Sequence, residues 1–496
     1  MTKLFRLASA LLVLCAAVLG AVGPARAATD YAQGVTAAGE GRVQFWFRPA
    51  APAALVDVHY LVNGASQQNF RMDGAAGTWT KTAGSLPAGA VLDYWFTYEK
   101  SGPLYDTPHF SYALGGTTTP PPGGGQGGAG GFPVSFVNNT RGTWSNSQAY
   151  VLILGMATPG RWSYLKPDGT LAPISHLDES APGHLVKNGR TYAAMSFSLA
   201  QTSTVTVPAR LEGARMYLSL GSPMYIPISP DDSGWGGPDP LNPADPNADV
   251  YYDWYEFTYR NGVVPFGGNT TQVDMFGFPV TARLQQSSSG YDQTVGITLT
   301  RDQVRSRFGT DVGPAFRGLV DQYRITAPRT SARFRPGGAQ AGYLQPAIDA
   351  AWAQYADRQF TLTRLGQTFT GRVVGGRLQF TKDGAGPYHL SKPTTADVMA
   401  CSGALASPGM ATVELELGAE FCAALNRGVA LDTAQWYTAG AYYPAGVRND
   451  YAGFFHAVGL AGRAYGFAYD DVNDQSTVRI LPNADPPSRL TIGLGW

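Results

Sequence analysis

Three observations predict a mainly β protein. Gly (61) and Pro (35) are abundant and aromatic residues reach 12%, whereas charged residues are only 15% of the 496-residue chain. That composition suits many strands and turns rather than long charged helices. Short runs with period-two alternation recur along the chain, and helical spacing with capping signals enters only after Leu284. The expected architecture is an N-terminal β-sandwich module followed by a β-barrel or sandwich domain that carries an α/β insertion. The expected divisions are a leader at 1–27, the module at 28–115, a linker at 116–131 and the large domain at 132–496. Within the large domain, the β part covers 132–284 and the C-terminal portion, and the α/β part about 285–430. The 36 basic and 36 acidic residues balance, which removes the electrostatic case for nucleic acid or an anionic membrane as partner.

The leader reads as a secretory signal. Lys3 and Arg6 give a positive start, residues 7–19 are apolar, and Ala25-Arg26-Ala27 is a small-x-small cleavage site. A mature chain beginning at Ala28 and secreted from the cell is expected. A lipoprotein reading through Cys15 is opposed by Leu14, where a small residue is needed, and no later apolar run is long enough to span a bilayer. Cys401 and Cys422 then remain in an oxidising compartment. A disulfide between them would close a loop of about twenty residues and stabilise by about 3 kcal/mol; two buried thiols are the alternative. Neither cysteine has zinc-site spacing, and His176, His184, His389 and His456 are scattered. No metal and no cofactor is expected.

In the module, residues 43–47, 56–62 and 94–98 are strand-like, and Asn63-Gly64, Asp73-Gly74 and Pro87-Ala88-Gly89 are turn signals. Val56, Val58, Tyr60 and Val62 form one face, and Asp57, His59 and Leu61 the other. The stretches VHYLVNGASQQNFRM, GTWTK and LDYWFTYEKSGPLYDTPHFSY resemble carbohydrate-binding modules of family 56. That resemblance implies β-1,3-glucan binding, with Trp79, Trp95 and Tyr105 stacking on glucose and His59, Asp93 and Glu99 bonding hydroxyls. At least one of Trp46, Trp79 and Trp95 is expected in the core, where a large aromatic in a small sandwich usually goes. The linker that follows, Thr117 to Pro122 and then Gly-rich to Gly131, is stiff and then flexible. A binding module on such a tether concentrates a second domain on a polymer.

The large domain opens with strand-like runs at 133–139, 149–154, 195–199, 203–207 and 215–220, then an acidic Pro/Gly/Asn-rich loop at 231–249. Two antiparallel strands are expected next, 251–260 and 271–279, joined by a long loop at 261–269 containing Pro265. Alternation sets Tyr255, Phe257 and Tyr259 on a core face and Trp254, Glu256 and Thr258 on the other. Val273 and Met275 are expected to join that core, and Asp274 to lie nearly opposite Glu256, roughly 5 Å away at Cβ or roughly 7–8 Å on a diagonal. Acidic strand residues usually only face water. The aromatic setting of Tyr252, Trp254, Phe276 and Phe278 raises the case for a pair that does chemistry on a sugar, for which two carboxylates are the required equipment; the alternative is that these aromatics fill a core, as buried aromatics more often do. Helices are expected at 300–308, with a Thr300/Gln303 capping box, and at 314–323, 345–355 and 416–427; strands return at 360–365 and 378–382. Residues 466–472 read as strand and loop.

FPVSFVNNT, YYDWYEFT, TQVDMFGFPV and YGFAYDDVNDQ together resemble glycoside hydrolase family 64, the laminaripentaose-producing β-1,3-glucanases with a thaumatin-like β domain. The resemblance implies an inverting, endo-type attack on β-1,3-glucan in a wide groove between the β domain and the insertion. It places the catalytic carboxylates on Glu256, in an E-x-T motif with Thr258, and on Asp274, in a T-x-x-D motif with Thr271; which of the two is acid and which base is not readable from sequence, and Glu256 is chosen as general acid and Asp274 as general base. Thr258 and Thr271 would touch sugar, with Trp254 beside them. Asp245 and Asp471, in the 470–474 loop, would border the groove or serve only as turn residues. In a regular strand Thr271 points away from Asp274, so it must lie where the strand is irregular. Inversion needs carboxyls roughly 6.5 to 9.5 Å apart, against about 5 to 5.5 Å for retention. The implied partner is β-1,3-glucan of the laminarin, curdlan or fungal-wall type, cut to short laminari-oligosaccharides by a monomer. Three rivals compete with this reading. One is a secreted β-glucan-binding protein without activity. A second is a Ser-His-Asp esterase, disfavoured because no G-x-S-x-G elbow occurs. The third is a cell-wall structural protein, which leaves the acid pair unexplained.

Overall fold

The computed structural model describes residues 31–39, 41–53, 55–62, 68–75, 77–84, 86–87, 89–99, 104–107, 110–114, 130–262 and 264–496. The expected leader, and the linker before Gly130, lie outside these. Two compact units form, one before Leu114 and one after Gly130, and each is described by itself.

The first unit is a two-sheet sandwich, as the alternating runs predicted. One sheet has the order Tyr31–Ala37, Val43–Pro49, Thr78–Ala83, Asp73–Ala75; the other has Gln68–Arg71, Val56–Val62, Val91–Glu99, Leu104–Asp106, with Phe110–Ala113 also on Val91–Glu99. Between them lie Phe45, Phe47, Val56, Val58 and Phe96, all without solvent contact. Trp79 is partly buried and packs against this core.

The second unit is also built on two sheets. A five-stranded sheet has the order Thr204–Val207, Phe132–Asn139, Arg489–Gly495, Val280–Gln286, Tyr291–Gly296. Against it lies a larger sheet whose path is Leu171–Pro173, Arg161–Leu165, Ala149–Thr158, Arg210–Leu220, Tyr251–Arg260, Val264–Thr270, Arg479–Ile480. Alternate side chains of both sheets, among them Phe132, Met216, Tyr255, Phe257, Tyr259 and Ile492, form one core. The other face of the larger sheet carries a second core of Leu152, Leu154, Tyr217, Tyr252, Trp254 and Met275 with residues of the 172–250 segment. Met275 thus joins the core behind Trp254, not the one predicted.

The chain leaves the β sheets after Gly296 and returns at Arg479. The Thr300/Gln303 capping box starts the helix Arg301–Asp311 as expected. The helix expected at 314–323 stops at Arg317; Gly318 follows it, and Asp321 accepts from Tyr323 and Arg324 main-chain N–H groups to form a turn instead. Helices Gln345–Asp357 and Thr412–Asn426 flank a four-stranded antiparallel meander. To the two predicted strands, observed as Phe360–Arg364 and Arg377–Lys382, it adds Gln367–Val374 and Ala385–Ser391. Cys401 and Cys422 form the disulfide, with Cα atoms 5.6 Å apart. Residues 466–472 contain turns and no strand.

Candidate active site

The strand Tyr251–Arg260 positions Glu256. Its odd residues Tyr255, Phe257 and Tyr259 are buried in the core between the sheets, so alternation directs Glu256 and Thr258 to the opposite face. The hairpin after it differs from the expected long loop. Asn261-Gly262, with Gly262 at φ 68°, turns the chain tightly, and strand begins again at Val264 and runs to Thr270. Gly268 in this strand is dictated by contact: a Cβ there would lie 2.3 Å from the Tyr255 hydroxyl. This glycine therefore marks close packing, not a loop.

Asp274 consequently sits beyond the strand's end, in the segment 271–274 before the short strand Met275–Phe276. Thr271 is buried, and its Oγ1 accepts from Val273 N at 3.2 Å, the irregular geometry its motif required. The Asp274 main-chain oxygen accepts from Ala327 N at 3.0 Å and from the Thr330 hydroxyl. Met275 and Phe276 pair with Thr326 and Ile325. Just behind, buried Asp253 accepts from Gly277 N at 3.0 Å and Trp254 N at 2.8 Å; burial pushes its carboxyl up to about 7.

Both candidate carboxylates reach solvent, Glu256 with 20% and Asp274 with 28% of its side chain exposed. Each is paired with a guanidinium. Arg215 Nη2 donates to Glu256 Oε1 at 2.6 Å, and Trp254 Nε1 donates to the same oxygen at 3.1 Å. Arg329 Nε lies 3.3 Å from Asp274 Oδ1. Burial pulls the Arg215 guanidinium down, but Tyr217, Glu256 and Asp274 outweigh it and hold it above its usual value. The two carboxylates therefore act on one cation, and on the Tyr217 hydroxyl, which burial raises.

The sequence profile of glycoside hydrolase family 64, described as Beta-1,3-glucanase, matches residues 130–494. The chain belongs to this family. Residues 33–107 match carbohydrate binding module family 56. A glucan endo-1,3-beta-glucosidase of Cellulosimicrobium cellulans is 28% identical over 285 residues, 55% of this chain and 50% of the relative, so the chain spans half that relative's length. A solved β-1,3-glucanase domain of family 64 from Clostridium beijerinckii is 32% identical with TM-score 0.69, covering 76% of this chain and all of its own. A laminaripentaose-producing β-1,3-glucanase of the same family from Paenibacillus barengoltzii is 32% identical with TM-score 0.60, covering 94% of this chain and all of its own.

Within the family 64 domain the remaining candidates are distributed as follows. Thr258 Oγ1 accepts from Gly213 N at 3.1 Å, bridging to a bulge in the neighbouring strand. Trp254 is 4% exposed and meets the site through Glu256. Asp245 accepts from Asp239 N at 2.9 Å and Asn247 N at 2.8 Å, holding the acidic loop in turns. Asp471 has one buried carboxylate oxygen without a hydrogen-bond partner, and burial raises its carboxyl. Asp471 and Glu256 both act on buried Tyr465, whose main-chain oxygen accepts from Gln272 N at 2.9 Å. Arg215, Tyr217, Arg329 and Tyr465 were not singled out from sequence. For Arg215 a signal existed: in RMYLSL it alternates with Tyr217 and Ser219 on the face opposite Met216, Leu218 and Leu220.

In the module, His59 and Trp95 are register partners on adjacent strands, with rings stacked 5.1 Å apart. Both stand on the outer face, since Tyr94 and Phe96 point into the core. His59 Nε2 bonds Thr97 Oγ1 at 2.7 Å, and Trp95 is 7% exposed. The side chains of Tyr105, Asp93 and Glu99 lie outside the described residues.

Proposed function

We propose that this chain is a secreted, monomeric endo-β-1,3-glucanase that hydrolyses laminarin- or curdlan-type glucan with inversion and releases products of laminaripentaose length. The observation that carries the reading is the pair of solvent-reaching carboxylates, Glu256 and Asp274, on adjoining segments and sharing the field of Arg215, in a domain of family 64. The relatives from Cellulosimicrobium cellulans and Paenibacillus barengoltzii support the substrate class and product, and the family 56 match supports a glucan-holding module.

In this mechanism Glu256 is the general acid. Arg215 and Trp254 both engage Oε1, leaving Oε2 to carry the proton to the departing glycosidic oxygen. Asp274 is the general base and takes a proton from a water that attacks the anomeric carbon from the opposite face. Its backbone anchor at Ala327 and Thr330 fixes where that water must stand.

Chromatography of digests of laminarin and curdlan, with NMR of the first anomer formed, tests the reading. Glu256→Gln and Asp274→Asn are expected to lose activity roughly 10²- to 10⁴-fold while still binding glucan. Full activity in Glu256→Gln removes the assignment. An inactive parent that still binds glucan leaves the chain a glucan-binding protein.

A further inference from the structure

The face of the larger sheet that presents Glu256 continues, strand by strand, to a pair of tryptophans. Trp162, on Arg161–Leu165, is the register partner of Met156, which is also the partner of Glu212. Adjoining Glu212, Gly213 N bonds Thr258 Oγ1. A Cβ on Gly213 would lie 3.6 Å from Met156 and 4.0 Å from Trp162, so one row of side chains crosses four strands from Thr258 to Trp162. At about 4.8 Å per strand this row spans about 14 Å, more than a single pyranose covers.

The second tryptophan ties this row to the acid. Trp235, from the acidic loop, meets Trp162 edge to face at 5.5 Å. It also meets Tyr217 edge to face at 6.0 Å and lies 5.9 Å from the Arg215 guanidinium that bonds Glu256. Both tryptophans are only partly buried. A perpendicular pair cannot hide both faces of both rings against one another, and sugar C–H faces pack well on an aromatic face at the border of water.

We propose that Trp162 and Trp235 form a distal sugar-stacking subsite that grips a β-1,3-glucan chain several residues from the bond cleaved and sets where along the polymer the cut falls. The inference rests on the Glu256 reading above. A long substrate laid along the row from Thr258 gains a contact that a short one does not reach, so the subsite acts on polymer affinity and product length.

The test compares Trp162→Leu and Trp235→Leu, which keep apolar bulk for packing, with Trp162→Phe, which keeps a ring. Laminarin kinetics and product lengths are measured beside Glu256→Gln. Trp162→Leu is expected to raise KM for laminarin roughly three- to tenfold with kcat within about twofold and to redistribute product lengths, Trp235→Leu, whose ring also lies beside Arg215, to raise KM and redistribute products whatever its kcat, and Trp162→Phe to recover most of the loss. A KM and product pattern equal to the parent's, or a fall in kcat at unchanged KM, overturns the subsite. If Glu256→Gln is as active as the parent, the reading of the reaction fails instead. A leucine variant that does not fold leaves the comparison of Trp162→Phe with the other leucine variant to decide.

Discussion

Arg215 and Glu256 are cross-strand partners whose side chains meet at 2.6 Å, on the face of the larger sheet turned away from the inter-sheet core. The guanidinium is held over three rings, 5.5 Å from Trp254 and 5.9 Å from Tyr217 and Trp235. Three ring contacts and a directed N–H make this a place where Lys is a poor substitute for Arg. Arg215→Met is expected to lower kcat roughly tenfold to a hundredfold. Arg215→Lys should not recover the full rate. Steady-state kinetics of the three proteins check both.

Gly277 has a tighter constraint. A Cβ there would lie 1.8 Å from the Tyr252 carbonyl oxygen, while its N–H bonds Asp253 and its oxygen accepts from Arg301 at 2.8 Å. Because the obstacle is backbone, relief requires moving the strand that carries Glu256. Gly277→Ala is expected to cost about 3 kcal/mol or more, read as a shifted urea midpoint, with activity falling in the fraction that folds.

A buried charge cluster in the C-terminal part predicts a pH window. Asp470, fully buried, is bonded by Arg427 Nη2 at 3.1 Å and His456 Nε2 at 2.9 Å. Burial works against the charged form of each partner. The His456 contact with Asp470 outweighs it and raises the imidazole above 6.5; His456 and Arg427 together lower Asp470 below 3.8. A raised histidine contributes stability that is complete below pH 6.5 and is lost as pH climbs through its folded value. A lowered aspartate contributes stability present above 3.8 and lost on acidification. Stability from this cluster should therefore be greatest between about pH 4 and 6.5. His456→Gln should remove the decline above pH 6.5 and cost about 2 kcal/mol at pH 6, both measurable by denaturant titration across pH.

The disulfide joins the helix Thr412–Asn426 to Cys401, the left-handed residue after Thr395–Ala400. Closing a 21-residue separation, it should contribute about 3 kcal/mol. Cys401→Ala with Cys422→Ala should lower the melting temperature of the catalytic unit, and reduction of the parent should do the same.

The alternating pattern of 251–260 was sufficient to direct Glu256 away from the core, and the capping box at Thr300 and the pairing of Cys401 with Cys422 were equally legible, because each depends on local spacing or on a single remaining partner. The turn at Asn261-Gly262 was misread because Pro265, Gly267 and Gly268 resemble loop composition. For Gly268 the cause is a tertiary contact with Tyr255, which composition does not reveal. The guanidinium partners of the two acids, and the approach of Trp235 to Trp162, depend on register between segments far apart in sequence. The same limit applies to Met275, whose core was decided by the exit of 271–274 from the sheet.

Arg489–Gly495 lies in the middle of the five-stranded sheet, parallel to Phe132–Asn139 on one side and antiparallel to Val280–Gln286 on the other. A ribosome making this chain must therefore deliver the whole insertion before the central slot of that sheet can be filled. Until then two apolar edges stand apart, exposed to each other's neighbours and to other nascent chains. Loss of Arg489–Gly495 alone should accordingly cost the cell the entire catalytic unit and not merely one strand.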